Sequence, residues 1–515
     1  MPRGRIDCPP AFRTCKYFAR PYMQRMSAKS KTRRPLVLAS VMAAMFMIAI
    51  EATIVSTAMP QIAGQLGDLH LYAWVFSAFL LTQTATTVVF GKLSDLYGRR
   101  PVLLVGIAIF LVGSTLCGFA WSMPSLILFR LIQGIGAGAI QPIGITVVGD
   151  LYTARERGKI QGYLASVWGV SSVLGPLAGG LIIQHASWSW IFWINLPIGL
   201  LAAAGFVAFL HEDVKREARS IDTAGAALFT LAIASLMVAL TEVGTSGSAT
   251  LWPALLFVVA SLLFVVQERR AADPMMDFRL WAQRPIATAN AATLLSGMAI
   301  IGLTTFLPMF VQGVMGQSAL VAGFALTTML FGWPVGATLA ARNFVRFGLR
   351  PTLLFGAAML PLGAMAFVLL GRSTSPVVAG LGSVVMGFGM GFLSTAAIVI
   401  IQDSVAWAQR GSATASNIFA RNLGSTLGAT VLGTVLNYGL AHPGAGNAVS
   451  SDQLRRLLER PDSLAGAADA VRGALAQSLH VTFCGIFGIA VLTLLLSLLV
   501  PRVALTGAPR ELAAE

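Results

Sequence analysis

The chain has 515 residues, of which 56% are hydrophobic and only 11% are charged, and its mean hydropathy is +0.76. A soluble domain of this length does not have that composition, so the sequence predicts an all-α integral membrane protein with many spans. The formal net charge of +15 does not indicate a nucleic-acid-binding surface, because the basic residues lie mainly in the N-terminal tail and in short loops between apolar runs.

The N-terminal tail, residues 1–35, is basic, and we expect it to be disordered and cytoplasmic. The first apolar run starts at Leu36 and is too long for the core of a cleavable signal peptide. Fourteen apolar runs of membrane-spanning length follow. Their approximate bounds are 36–59, 72–90, 102–121, 124–148, 159–183, 190–210, 222–242, 251–267, 286–311, 318–340, 352–370, 376–400, 411–437 and 480–500.

Basic residues predict the orientation of these spans. With fourteen crossings, 29 of the 36 Lys and Arg residues fall on the side of the two termini, five fall on the other side, and Arg130 and Arg421 lie within spans. Positive residues collect on the cytoplasmic side of membrane proteins. Both termini are therefore predicted to be cytoplasmic, in a multi-pass protein of the inner or plasma membrane.

Parts of the chain recur at a nearly constant offset. Residues 98–106 reappear as 348–356, and a second set of matches, which includes Asp150 with Asp403, has an offset of 253. Ordered matches of this kind indicate an internal duplication. We therefore predict two six-helix bundles related by a pseudo-twofold repeat. The predicted parts are the two bundles at 36–210 and 286–500, two extra helices and a linker at 211–285, an external segment at 441–479 and a cytoplasmic tail at 501–515.

The stretch Gly91–Pro101 joins the second and third runs as a short charged loop. Gly91 is expected to end the incoming helix against close neighbours, and Gly98 to permit a left-handed turn. Asp95 and its basic neighbours predict a charge cluster that can latch and release. The alternative is an ordinary basic cytoplasmic loop. The basic neighbours are Lys92, Arg99 and Arg100.

Glu51 lies deep in the first run, with apolar residues on both sides. At 1.5 Å per residue it is roughly 22 Å from the cytoplasmic end of that run, past the middle of a ~30 Å hydrocarbon core. An ionised carboxylate at that depth is costly unless it faces a cavity or pairs with a cation. We predict a proton-carrying site; the alternative is a carboxyl group hydrogen-bonded for packing alone.

Arg130 lies in the fourth run, just before Gln133 and a series of glycines. The glycines are not a dinucleotide-binding loop, because no strand precedes them, and close helix packing explains them better. Within a bilayer the guanidinium needs a carboxylate or helix-end carbonyls as partner. Its counterpart in the second repeat is Ser383, so the charge is not part of the shared scaffold. That difference predicts a functional role.

Glycines also crowd the fifth run around Pro176. Pro176 removes a backbone hydrogen bond and is expected to kink the helix, while the glycines allow a neighbour to approach closely. We predict a seal and pivot between the two halves; the alternative is a packed kink without further function. The glycines are Gly162, Gly169, Gly175, Gly179 and Gly180.

A few polar or aromatic side chains within the runs are candidates to line a substrate cavity. The sequence has no Ser-His-Asp set, metal-ligand spacing or phosphate-binding loop, so we predict no enzyme activity, metal or cofactor. The four cysteines form no disulfide framework. The candidate cavity residues are Trp74, Gln83, Gln133 and Arg421.

Taken together, these motifs are specific. Over residues 36–500 the chain resembles the major facilitator superfamily, in particular its fourteen-span drug:proton antiporter family. Four stretches carry the resemblance: Ile50–Pro60 of the first span, Gly91–Pro101, Arg130 with Gln133-Gly134, and Gly169–Gly180 of the fifth span.

The resemblance implies two bundles that rock around a central cavity. It also implies that Glu51 is the protonated acid, that Arg130 couples protonation to the movement, and that Asp95 latches the inward loop to neighbouring helices. Two residues depart from the family pattern. The usual acid of the first span is aspartate rather than Glu51, and Ser189 stands where arginine is usual. The fold is unaffected, but the substrate choice is not settled by the motifs.

The leading hypothesis is proton-driven export of an amphipathic small molecule or drug from the cytoplasm. The partners would be the lipid bilayer, protons and the substrate, without nucleic acid, and we expect a monomer. The alternatives are export of an endogenous metabolite, siderophore or lipid, and a transporter-like sensor that moves no substrate.

Overall fold

A computed structural model of the chain describes residues 32–66, 71–212, 222–241, 247–271, 278–442 and 468–502. Nearly all of these residues are helical and no strand occurs within these ranges, which confirms the all-α fold. Within these ranges, thirteen helices are long and apolar enough to cross a membrane. A further helix of 32 residues, Arg410–Ala441, has more polar side chains and packs among the others. Helices therefore cover all fourteen predicted spans.

The fourteen long helices are numbered α1 to α14 in chain order. They are α1 Arg34–Leu66, α2 Tyr72–Tyr97, α3 Arg99–Gly118, α4 Met123–Leu151, α5 Ala154–His185, α6 Trp190–Phe209, α7 Thr223–Thr241, α8 Gly247–Arg270, α9 Arg284–Met309, α10 Ala319–Phe347, α11 Leu349–Val368, α12 Pro376–Asp403, α13 Arg410–Ala441 and α14 Ala468–Ser497. A π-helical turn, Phe310–Val314, extends α9, and a 3₁₀ turn, Trp407–Gln409, precedes α13.

An even number of crossings leaves the start of α1 and the end of α14 on the same side of the membrane. We call this side the terminal face and the opposite side the distal face. Residues 1–31, predicted to form most of a disordered tail, lie outside the described residues, as do 503–515. Residues 443–467 of the predicted external segment lie outside them as well.

The predicted loop between the second and third spans is wrong in one respect. Helix α2 continues through Gly91 to Tyr97, and α3 begins at Arg99, so Gly91 does not end a helix. Gly98 alone makes the turn, with φ +96°. Gly348 makes the equivalent turn between α10 and α11, with φ +88°. Both positions need the left-handed region that glycine adopts without strain.

The last helix also begins earlier than predicted. Residues 468–479, assigned to the external segment, form the first turns of α14. Val471, Leu475 and Leu479 recur at helical spacing and are buried in the core of the second bundle. The polar residues between them interrupt the apolar run, so hydrophobicity alone does not mark this part of the helix.

Helix packing repeats between the two halves of the chain. In the first half, α4 packs against α2 and α3, and α1 packs against α5 and α6. In the second half, α12 packs against α10 and α11, and α9 packs against α13 and α14. Each pairing reappears eight helices later, so α7 and α8 fall outside the repeat. The halves meet through α5 with α10 and through α2 with α13, two contacts that the same repeat exchanges.

Helices α7 and α8 pair with each other, and α7 also packs against α2 and α13. Phe229 of α7 contacts Phe264 of α8 and Phe419 of α13, with ring centroids 5.4 and 5.6 Å apart. The extra hairpin therefore lies beside one of the two contacts between the halves.

The hydrophobic cores show where the two bundles join. Near the terminal face one core is continuous across both bundles, and it includes Ile143 of α4, Phe344 of α10 and Ile401 of α12. Near the distal face each bundle has its own core. The bundles therefore share a core at the terminal face and separate toward the distal face.

Close packing of α3 against α4 gives a test of the fold. A Cβ atom at Gly136 would collide with the backbone of Gly106 and Phe110, so Gly136→Ala should lose about 1–3 kcal/mol of unfolding free energy. Thermal unfolding of the purified protein in detergent, followed by tryptophan fluorescence, measures the change.

Gly180→Ala is the matched control, because no atom lies within 4 Å of a Cβ built at that glycine. It should unfold at the wild-type temperature. Equal unfolding temperatures for the two variants would contradict the packing described here.

Candidate functional site

Glu51 lies near the middle of α1 and is fully buried. One carboxylate oxygen forms an ion pair with Nη1 of Arg130 on α4. The other oxygen accepts a hydrogen bond of 2.5 Å from the side-chain amide of Asn195 on α6. Each oxygen therefore has a donor, and Glu51 connects α1 to α4 and to α6 within the first bundle.

Arg130 is held on several sides. Its Nε donates to the carbonyl oxygen of Val75 at 3.2 Å, and Nη1 also donates to Oε1 of Gln133 at 2.7 Å. The guanidinium lies over the ring of Phe79, with Cζ 4.3 Å from the ring centroid. The sequence predicted an internal partner for this arginine, and the structure places Glu51 in that position.

Ser114 of α3 completes the polar network. Its hydroxyl oxygen accepts hydrogen bonds from the amide groups of Gln133 at 3.1 Å and Asn195 at 2.9 Å, and its proton is donated to the carbonyl oxygen of Phe192. Sequence reasoning missed Ser114 and Asn195. Asn195 is a polar residue within the apolar sixth run, and that signal was available.

The network gives Glu51 a defined chemical capacity. While Glu51 is ionised it neutralises Arg130, and the buried charges cancel. Removing one partner of a buried ion pair leaves an uncompensated charge and costs about 3–5 kcal/mol. Adding a proton to Glu51 would leave Arg130 in that situation, so the protonation state would bias how α1 and α4 pack.

A second polar site, which we call the charged seam, closes the two halves together at the terminal face. It comprises the side chains of Asp95, Arg99, Asp150, Arg157, Asp403 and Arg410 with the start of α13.

Asp95 of α2 binds the first turn of α13. Its carboxylate accepts hydrogen bonds from the backbone N–H of Gly411 at 2.8 Å, and from the backbone N–H and hydroxyl of Ser412 at 2.7 and 2.8 Å. The first N–H groups of a helix have no partners within the helix, and its dipole favours a negative charge there. The contact joins the two halves directly.

Arg99 positions Asp95 and adds a contact of its own to the other half. It pairs with Asp95 at 2.9 Å and with Asp150 of α4 at 3.1 Å. It also donates to the carbonyl oxygen of Trp407 at 2.9 Å and lies over that indole ring, 4.4 Å from its centroid. Arg100 instead bonds Glu212 and Val207, at the end of α6, and so ties α3 to its own bundle.

Two ion pairs of the charged seam are exchanged by the internal repeat. Arg157 of α5 pairs with Asp403 of α12 at 2.9 Å, and Arg410 of α13 pairs with Asp150 of α4 at 3.4 Å. Asp150 and Asp403 are repeat counterparts, as are Arg157 and Arg410. Each half therefore supplies an arginine to the acid of the other half.

Gly91 makes close contact with α13, although it does not end a helix. A Cβ atom there would collide with Ala415 and Gly411. Lys92 is partly exposed in the same helix.

The glycines of α5 face two different neighbours. Near the terminal face, Gly158 and Gly162 lie against α10 of the other half, and a Cβ at Gly169 would be 3.6 Å from the carbonyl oxygen of Leu330 in α10. Farther along, Gly175 lies against Thr53 of α1. Gly179 is buried and Gly180 has open space beside it.

The helix is continuous through Pro176, whose side chain lies outside the described residues. The contact of α5 with the other half therefore involves Gly158, Gly162 and, from the stretch Gly169–Gly180 that carries the resemblance, Gly169.

The candidate cavity residues belong to three different helices, α2, α4 and α13. Gln133 belongs to the Glu51–Arg130 network, and Gln83 is buried in α2. Trp74 is partly exposed near the distal end of α2, and Arg421 is partly exposed in α13.

Comparison with known proteins agrees with the motifs and the fold. A model of the Major Facilitator Superfamily matches residues 41–429. Multidrug transporter protein MdtP of Bacillus subtilis (strain 168) is 34% identical over 418 residues, which cover 80% of this chain and 77% of that protein. Multidrug resistance protein 3 of the same organism is 36% identical over 420 residues, covering 80% of this chain and 81% of the relative.

Among solved structures, the crystal structure of the human organic anion transporter MFSD10 (TETRAN) has a similar fold. Its TM-score is 0.63 at 17% sequence identity, and the match covers 91% of this chain and 100% of the human chain. At that identity the likeness supports the fold alone. On the family match and the Bacillus relatives, the chain belongs to the Major Facilitator Superfamily of multi-pass membrane transporters.

Proposed function

We propose that the protein is a proton-coupled exporter of amphipathic small molecules or drugs that works by alternating access. The observation that carries the proposal is the buried Glu51–Arg130 pair, which would hold the coupled proton inside the first bundle. The names of the relatives, a multidrug transporter and a multidrug resistance protein, support the substrate class.

The proposed orientation places the terminal face in the cytoplasm, with the protein in the inner or plasma membrane. The excess of basic residues on that side supports it, since positive residues collect on the cytoplasmic side. The structure, with the bundles joined at the terminal face, then corresponds to a state closed toward the cytoplasm and open outward.

Protonation would drive the change between the two states. In the outward-open state the higher proton concentration outside would favour protonation of Glu51, and a proton that binds it removes the counterion of Arg130. An uncompensated guanidinium favours an arrangement in which α1 and α4 separate enough to admit water or another partner. The proposal is that this arrangement belongs to the state open toward the cytoplasm, where the proton leaves.

The charged seam would set the barrier for that change. Opening toward the cytoplasm must separate Asp95 from the first turn of α13, and must break the pairs Arg157–Asp403 and Arg410–Asp150. These contacts are charge-assisted and largely buried, which makes each one stronger than a surface ion pair. The seam would therefore act as the predicted latch.

Glu51→Gln tests the coupled proton. Glutamine keeps the shape and can still hydrogen-bond Arg130, but it cannot ionise. We expect uptake of anilinonaphthalene sulfonate, an amphipathic dye, into inside-out proteoliposomes with an imposed pH gradient to fall by roughly 100-fold, the scale of losing a group that carries out proton transfer.

Glu156→Gln is the matched control. Glu156 is an exposed glutamate of the same bundle, and glutamine can retain its capping contact with Thr153. Gradient-driven uptake at the wild-type rate by Glu51→Gln would contradict the proposal that Glu51 carries the coupled proton.

Asp95→Asn tests the latch. The substitution removes the negative charge at the start of α13, so closure at the terminal face should weaken by about 1.5–3 kcal/mol, the usual contribution of a hydrogen bond to a charged group. A cysteine at Ala413, which is buried in the joined core, should then react faster with a maleimide in a background without the four native cysteines.

Ser412→Ala should produce a smaller increase, because both backbone donors to Asp95 remain. No increase in labelling for Asp95→Asn would show that the contact does not hold the terminal face closed.

A further inference from the structure

Arg421 is the second arginine embedded in the membrane-spanning helices, and its surroundings differ from those of Arg130. Arg130 has Glu51, Gln133 and the Val75 carbonyl as partners. The side chain of Arg421 makes no hydrogen bond or ion pair with any residue that the structure describes. Its charge is therefore not neutralised by the described part of the protein.

The neighbours of α13 show where Arg421 points. Asn417, one turn earlier, faces α9 and donates to Thr293 at 2.9 Å. Gly411 and Ala415 face α2 of the other half. With 3.6 residues per turn, Arg421 lies about 40° around the helix from Asn417, between the α9 and α2 directions.

The contacts of Thr414 show which part of the molecule lies in the direction of Arg421. It is seven residues before Arg421, and so about 20° from it around the helix. The hydroxyl oxygen of Thr414 accepts from the side-chain amide of Gln402 at 3.1 Å, and the same amide donates to the Ile145 carbonyl of α4 at 3.3 Å. This face of α13 therefore points to the centre of the molecule, between the two bundles.

Exposure along the same face rises toward the distal side. Thr414 is fully buried and Ile418 is 2% exposed, within the joined core. Arg421 and Ser425 are partly exposed, and Ala429 is exposed. The cleft between the bundles therefore begins at about the level of Arg421, which places the guanidinium at its closed end.

From this placement we propose that Arg421 is the binding residue for an acidic group of the substrate, a carboxylate or sulfonate on an apolar body. The inference rests on the proposed function and narrows its substrate class. A guanidinium presents parallel N–H donors that match two oxygens of such a group, and the pairing is strong where water is scarce. Among the residues that the structure describes, the ion pair Glu51–Arg130 contributes no net charge and Arg421 has no counterion, so Arg421 brings a positive charge to the cleft.

The same charge selects against other substrates. A cationic amphiphile entering the cleft would meet an unneutralised positive charge, and like charges repel more strongly in a low-dielectric site. A neutral amphiphile would gain nothing from the guanidinium. Charge selection at Arg421 is separate from the proton step at Glu51, because the two residues lie in different bundles.

Equilibrium binding of two related probes tests the inference. Tritiated anilinonaphthalene sulfonate and N-phenylnaphthylamine share a ring system and differ in the acidic group. Scintillation proximity with the purified full-length protein in detergent measures both affinities. We expect the wild type to bind the sulfonate about tenfold more tightly than the neutral probe, the effect of about one charge-assisted contact.

Arg421→Gln should weaken binding of the sulfonate alone. The affinities for the two probes should then agree within about twofold. Arg421→Lys should keep a preference for the sulfonate, because the charge remains. Arg342→Gln, which removes an exposed arginine at the terminal face, should behave as the wild type. If Arg421→Gln binds neither probe, the lysine variant decides: a retained preference supports the site and equal affinities reject it.

The inference is overturned if the wild type shows no preference for the sulfonate, or if the preference persists in Arg421→Gln. Binding requires no proton gradient, so this result is independent of the flux measurement on Glu51→Gln. If the wild type shows no charge selection but its proton-coupled flux depends on Glu51, only the proposed role of Arg421 is rejected. Charge selection without coupled flux would reject the proposed export mechanism alone.

Discussion

The ion pair between Glu51 and Arg130 connects the proposed proton site to the packing of the first bundle. Two opposite charges lie inside the first bundle, each with additional hydrogen-bonding partners. Burying such a pair does not by itself stabilise a protein much, since desolvation offsets the attraction. Its consequence is that binding of one proton would change the net charge of the buried pair from zero to +1. A stability role alone would not require an ionisable group at this depth.

The charged seam is the contact between the two halves that protonation of Glu51 would have to open. The bundles share one hydrophobic core near the terminal face, and the polar contacts of Asp95 and the two exchanged ion pairs surround it. Because the exchanged pairs follow the internal repeat, opening would release equivalent contacts on both halves together. A duplicated chain can build a two-sided closure in this way from one set of residues.

Much of the fold could be predicted from the sequence because membrane spans are local features. An apolar run of sufficient length predicts a helix wherever it packs. The amphipathic start of α14 was not predicted because its burial depends on a partner helix. The role assigned to Gly91 was wrong because α2 continues through Gly91, which instead packs closely against α13 of the other half.

Prediction of the candidate site depended more on tertiary structure than prediction of the fold did. Glu51 and Arg130 stood out individually as charges within apolar runs, but their contact and the roles of Asn195 and Ser114 depend on packing. The repeat matched Asp150 with Asp403 and Arg157 with Arg410 in sequence. That each arginine would pair with the acid of the other half follows only from how the bundles meet.

In the proposed mechanism, protonation of Glu51 opens the terminal face. Double electron–electron resonance measures the distance between spin labels at Tyr97 of α2 and Phe347 of α10, both exposed near that face. This distance reports the opening directly. On acidification the account predicts a shift to longer distances in the wild type. In Glu51→Gln, which resembles the protonated acid, it predicts the long distances at every pH. An unchanged pH response in Glu51→Gln would contradict the account.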